Sequence, residues 1–181
     1  VPGDPMWYPV NLGTNSFGQG VAVTPIQLLM AASAIANDGK MVAPHILQAY
    51  IQNGQQYTTT TQVVGMPISE KTADTLTQML ATSLEQEASD ALVEGYRVAG
   101  KTGTAEIAVN GQYSSNATNA SFVGWGPVDD PQFMVYVWLE KPQSSIWGSV
   151  VAAPVFRDVV EELVVLMNIP PDDIRLTMKG K

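Results

Sequence analysis

The spacing of apolar residues changes period part-way along the chain. Residues 1–20 are rich in Pro, Gly and Asn and read as a loop approach. A helix is then strongly punctuated. Thr24 suits the N-cap, Pro25 the first helical position, and Gln27 completes a capping box. Ile26, Leu29, Met30, Ser33 and Ala34 fall on one face, and Gly39 supplies a stop. Residues 41–52 and Gln55–Val64 suit extended chain on either side of an Asn53-Gly54 turn, which together predict a small peripheral hairpin. Ser69 caps a second helix with Ala73, Leu76, Leu80 and Leu84 as its stripe. Residues 85–95 form an acidic connection.

From Tyr96 onward the pattern turns to strands. Tyr96–Val109, Ala120–Gly126 and Phe133–Glu140 each read as one, with a polar connection from Asn110-Gly111 through Asn119 and a turn at Asp129-Asp130-Pro131. Short connections predict an antiparallel meander. Pro154 opens a last helix whose apolar face is predicted from Val155, Val159, Leu163 and Met167, with Val160 and Leu166 beside them. The tail 170–181 is polar, with the character of a mobile end. The class is α+β. Residues 1–95 form a helical part with its hairpin, 96–169 a three-strand sheet segment plus the C-terminal helix, and 170–181 the tail.

The first of those strands carries chemistry. Gly100-Lys101-Thr102-Gly103-Thr104-Ala105-Glu106 sets an ammonium, two hydroxyls and a bare glycine in a row. Alternation puts Lys101 and Gly103 on one face and Thr102 and Thr104 on the other. Gly103 leaves room for a backbone or a ligand to approach. A strand edge of this kind can hold a carboxylate and a carbonyl oxygen together, as acyl-transfer chemistry requires.

Composition narrows the partners. Seventeen acidic against 9 basic residues give a formal charge of −8, with no basic footprint for nucleic acid. No Cys is present, so disulfides and thiolate metal sites are excluded. The single His45 follows Pro44 in an apolar stretch and reads as structural. The longest apolar run, Phe133–Leu139, falls far short of the ~20 residues of a spanning helix. The chain begins Val-Pro rather than Met, the expectation for a fragment or a processed product.

A lone Lys-Thr-Gly arises by chance in roughly a few per cent of chains this long. Its context carries more. Lys-Thr-Gly is the third motif of penicillin-binding proteins and serine β-lactamases. Around it stand Thr14-Asn15-Ser16-Phe17-Gly18-Gln19-Gly20-Val21 with Thr24-Pro25-Ile26-Gln27-Leu28, then Ser121-Phe122-Val123-Gly124-Trp125, then Ala152-Ala153-Pro154-Val155-Phe156. In that order, from about Asn11 to Asp173, they resemble the class B penicillin-binding protein transpeptidase domain. The stretch Asn168-Ile169-Pro170-Pro171-Asp172 is similar to the end of that domain in division-type members.

The resemblance implies an α+β transpeptidase fold and a serine enzyme that attacks D-Ala-D-Ala of a peptidoglycan stem peptide and is trapped by β-lactams. It implies no cofactor and an extracytoplasmic location at the bacterial cytoplasmic membrane, with an anchor upstream. By position, Lys101 would tune the serine–lysine network and attract the substrate carboxylate. Thr102 and Thr104 would bind that carboxylate, Gly103 would complete the binding strand, and the Thr104 N–H would form half of the oxyanion hole. Lys101 and Thr104 are thus the catalytic candidates.

The family's other two motifs are missing. No serine has Lys three residues later. Ser114-Ser115-Asn116 matches Ser-x-Asn in form but follows Lys101 instead of preceding it. It reads as a solvated loop, as do Tyr113 and the Asn-x-Ser/Thr patterns at Asn116 and Asn119. The expectation is a C-terminal part of the domain that is inactive alone, completed by an N-terminal half. An unpaired sheet edge would then favour homo-oligomers or strand exchange. A β-lactam sensor or β-lactamase relative, and a noncatalytic binding module, stay open as alternatives.

Overall fold

The computed structural model describes residues 3, 5, 7–109 and 112–179. It begins with a helix where a loop was expected: α1, Pro9–Ser16. Local polar bonds build it. The Tyr8 N–H donates to Asn11 Oδ1 at 2.9 Å, and the Thr14 and Ser16 hydroxyls donate to backbone carbonyls three residues back. None of its residues is buried, so no apolar stripe announced it.

Helix α2, Pro25–Ala36, starts as its punctuation predicts. Thr24 Oγ1 accepts from the Gln27 N–H, and Gln27 Oε1 accepts from the Thr24 N–H. Ala34 is buried, and Leu29, Met30 and Ser33 are half-buried. Ile26 is not part of the packed face; it stands 53% exposed in the first turn. The chain leaves the helix through Asp38 and Gly39, both in the left-handed region.

The extended segments break into four short strands. β1 (Met41–Val42) pairs with β4 (Val63–Gly65), and β2 (Ala49–Gln52) pairs with β3 (Gln55–Thr58) around left-handed Asn53 and Gly54. Tyr50 and Tyr57 stack across the second pair, with ring centroids 5.2 Å apart. Helix α3, Glu70–Glu87, is capped by Ser69 Oγ, which accepts from the Thr72 N–H. Ala73, Thr77, Ala81 and Leu84 are buried along it, while Leu76 and Leu80 are half-buried.

The main sheet is an antiparallel meander: β5 (Ala99–Val109), β6 (Gln112–Gly126) and β7 (Phe133–Glu140), in that spatial order. β6 is much longer than the expected Ala120–Gly126. Residues 112–119 continue the strand where a polar loop was predicted, because they pair with the far half of β5. Asn110 and Gly111 lie outside the described residues. β7 pairs only from Asn119 onward, so the β5–β6 ribbon runs past the third strand, with a register shift at Glu106/Ile107.

Two layers cover the sheet. On one face Phe122 and Val137 pack under α5 (Ala153–Leu166), which follows the single turn α4 (Gly148–Val151). The buried residues of α5 are Ala153, Phe156, Val160 and Val164. This is one position on from the predicted face: Val155 and Val159 are exposed, and so is Leu166. Phe156 explains the offset. Its ring lies against Phe122, centroids 4.6 Å apart, over Gly124, where a Cβ would meet the Phe156 ring at 2.7 Å. On the other face Trp125 and Ala99 pack with Ala81, Leu80, Ile35 and Met134 under α2 and α3.

The tail is a helix, α6, Asp172–Lys179, and it is tied down. Arg175, 8% exposed, donates Nη1–H to Asp129 at 2.6 Å and Nη2–H to Asp172 at 2.5 Å. Asp172 Oδ2 also accepts the Arg97 N–H, and the Tyr96 hydroxyl donates to the Ile169 carbonyl at 2.7 Å. A polar-looking segment is therefore held by buried charge, a feature that hydrophobic patterning does not register.

Candidate functional site

The Lys101–Thr104 stretch lies on the outermost strand of the sheet. β6 pairs with one side of β5, and among the described residues no strand pairs with the other. The alternation expected from sequence holds. Gly100, Thr102 and Thr104 lie opposite Gly124, Phe122 and Ala120, on the α5 side, while Lys101 and Gly103 lie opposite Val123 and Ser121 on the other.

Lys101 is exposed, and its ammonium bridges the two faces around the open edge. Nζ donates to the Thr102 carbonyl at 3.1 Å and to Thr102 Oγ1 at 3.3 Å. This places a cation against a half-buried hydroxyl at the mouth of a cleft of about 210 Å³. Ser83 and Glu87 of α3 and Ser149 of α4 form the opposing walls. A larger hollow of about 480 Å³ sits near Tyr96, Arg97 and Asp172, at the start of the strand, and does not include Lys101.

Thr104 is anchored from the far side. Its Oγ1 accepts the Gly148 N–H at 3.1 Å, so α4 begins directly on the motif strand. Accepting that bond leaves the Thr104 hydroxyl proton for another acceptor. Gly148 has no room for a side chain: a Cβ would overlap the carbonyl oxygens of Gly103 and Ser121. Gly103 itself is not an open notch. A Cβ there would fall on Ser121 Oγ, so the bare position is filled from within the sheet.

Other expected positions lie elsewhere. Ser114 sits opposite Ile107, six positions along β5 from Lys101, or roughly 20 Å at strand rise. Ser114, Ser115 and Asn116, with Tyr113, are on a strand and not in a loop, and Ser114 is not brought to Lys101. Asn119 is also on β6, and its Oδ1 is buried. His45 is exposed, with Nδ1 3.0 Å from the Leu47 carbonyl oxygen. Among the described residues no group of three His, Cys, Asp or Glu side chains could hold a metal, and no helix is long and apolar enough to cross a membrane. Ser83, Glu87 and Ser149 were missed from sequence because they adjoin no motif strand; only folding brings them to Lys101.

The family model of the penicillin binding protein transpeptidase domain matches residues 2–161. The chain belongs to the penicillin-binding protein transpeptidase family. Among curated relatives, the stage V sporulation protein D of Bacillus subtilis is 38% identical over 168 residues, covering 90% of this chain and 26% of its own length. A peptidoglycan D,D-transpeptidase FtsI homolog of Mesostigma viride is 31% identical, covering 94% and 31%. Penicillin binding protein 3 of Mycobacterium tuberculosis superposes with a TM-score of 0.83 at 29% identity, over 94% of this chain and 41% of that one. The same protein complexed with ampicillin gives 0.81 at 28% identity. This transpeptidase-family chain thus spans about a quarter to a third of those curated relatives and under half of the solved structure.

Proposed function

We propose that the chain is the substrate-binding C-terminal part of a serine-type peptidoglycan D,D-transpeptidase, acting at the extracytoplasmic face of the bacterial cytoplasmic membrane. One observation carries the reading: Lys101, Thr102, Gly103 and Thr104 occupy an open sheet edge, with the Lys101 ammonium and the Thr102 hydroxyl together at one cleft. The substrate carboxylate of a D-Ala-D-Ala stem peptide is received by the Thr102 and Thr104 hydroxyls and attracted by Lys101. The Thr104 N–H supplies one oxyanion donor, a contribution worth ~10²–10³ in rate.

The chain contains no serine followed three residues later by lysine and spans 26–31% of its curated relatives, and in this reading the nucleophile belongs to the part of the domain that the chain does not span. That serine attacks the penultimate D-Ala carbonyl, D-Ala leaves, and an amine of a second stem takes the acyl group. β-Lactams present a strained amide at the same place, a reading supported by the ampicillin complex of the solved relative.

Labelling by a fluorescent penicillin tests this. The full-length gene product is expected to become covalently labelled, K101A to be labelled far more slowly, and the 181-residue chain not at all. Covalent labelling of the chain alone would overturn the division of labour. An unlabelled full-length protein would overturn the transpeptidase assignment.

A further inference from the structure

We propose that Ser121 is a positioning residue: its hydroxyl offers a second seat for the Lys101 ammonium, on the sheet face opposite Thr102 and Thr104. The inference rests on the transpeptidase reading above.

The register supplies the geometry. Lys101 pairs with Val123 and Gly103 with Ser121, so Lys101 and Ser121 are diagonal neighbours on one face. Diagonal cross-strand positions lie ~7–8 Å apart, within reach of a long side chain. Any side chain at 103 would stand between them. Gly103 has none, and Ser121 Oγ occupies the place its Cβ would take. The sequence thus keeps the path from the ammonium to that hydroxyl clear.

The bonding inventory points the same way. Ser121 is half-buried, yet its hydroxyl has no hydrogen-bond partner among the described residues. Asn119, two positions away on the same face, buries an Oδ1 that is also unpartnered among them. A buried oxygen like that of Asn119 is normally satisfied, and the Ser121 hydroxyl beside it, which is not fully enclosed, has its lone pairs open to an incoming donor. An ammonium has three donors. Lys101 directs two at Thr102, at the outer edge. A hydrogen bond to Ser121 draws the same ammonium inward over Gly103, to the face where it adjoins the motif strand's partner. Thr102 and Ser121 are then alternative seats, and Ser121 holds the cation when a ligand carboxylate competes for the Thr102 hydroxyl.

The test uses the full-length gene product and stopped-flow acylation by a fluorescent penicillin. S121A is expected to slow the acylation step roughly tenfold, the scale of a lost hydrogen bond to a charged group, with the initial binding constant and melting temperature unchanged. S121T restores the hydroxyl and is expected to recover most of the rate. Wild-type acylation by S121A would overturn the inference. So would a loss that S121T does not rescue, or one that tracks a fall in melting temperature, since packing alone explains those. Failure of the wild type itself to acylate strikes the transpeptidase reading instead.

Discussion

Replacing Arg175 by Met removes one cation while keeping the length and most of the apolar stem of the side chain. In the structure that guanidinium meets Asp129 at 2.6 Å and Asp172 at 2.5 Å and is 8% exposed. Its own protonation is not in play: the hydrogen bond to Asp129, opposed by burial and reinforced by Asp172, raises an already high pKa. Deleting one partner of a buried pair costs about 3–5 kcal/mol, because the other charge is left without compensation. Asp129 and Asp172 retain partial solvent access here, so the low end applies, about 3 kcal/mol. At ~2–4 °C per kcal/mol for a domain of this size, the melting temperature falls by roughly 6–12 °C. Thermal and urea unfolding of R175M, followed by circular dichroism at pH 7, gives the value. Adding D129N should cost less in R175M than in the wild type, since the Arg175–Asp129 bond is already gone. A drop in melting temperature below about 2 °C, or strictly additive effects, would refute the claim that buried charge fastens α6 to the sheet.

Two further outcomes follow from packing and protonation. G124A places a Cβ 2.7 Å from the Phe156 ring and 2.9 Å from Phe122, so its urea midpoint should fall by an amount equivalent to about 1–3 kcal/mol. Burial, then the Asp172 charge, raise the Tyr96 pKa above 10.0, with Arg175 opposing. A raised folded-state pKa contributes stability that is complete below pH 10 and lost as pH climbs through the folded value. Only the protonated phenol can donate to Ile169, so urea midpoints should decline above about pH 10 in the wild type and more shallowly in Y96F.

The sequence announced the parts of the fold that rest on local chemistry. Thr24, Pro25 and Gln27 act within one turn, and Ser69 caps by the same means; both helix starts were legible. Phe133–Glu140 was legible from its apolar, β-branched run. What escaped depends on distant partners. Residues 112–119 look like a loop because they are polar, and become strand only by pairing with β5. The face of α5 turns toward Phe122, 34 residues upstream of Phe156 by difference of their numbers, and no periodicity states that. The motif residues were legible as a strand with two faces. Their surroundings were not: the Gly148 anchor on Thr104 spans 44 positions, and Ser83, Glu87 and Ser149 come from two helices.

The stack of Gly103, Ser121 and Gly148 governs how this site can change under mutation. The three positions crowd the same stretch of the β5–β6 ribbon, 148 against its main chain and 121 against 103, and their tolerances differ in kind. Growth at 103 collides with a side-chain oxygen, so a second substitution that shrinks residue 121 opens a route to it. Growth at 148 collides with main-chain oxygens of residues 103 and 121, which no substitution removes. Position 103 is therefore conditionally variable and position 148 is not. Sequence change at this part of the strand passes by paired substitutions at 103 and 121, with strongly non-additive intermediates.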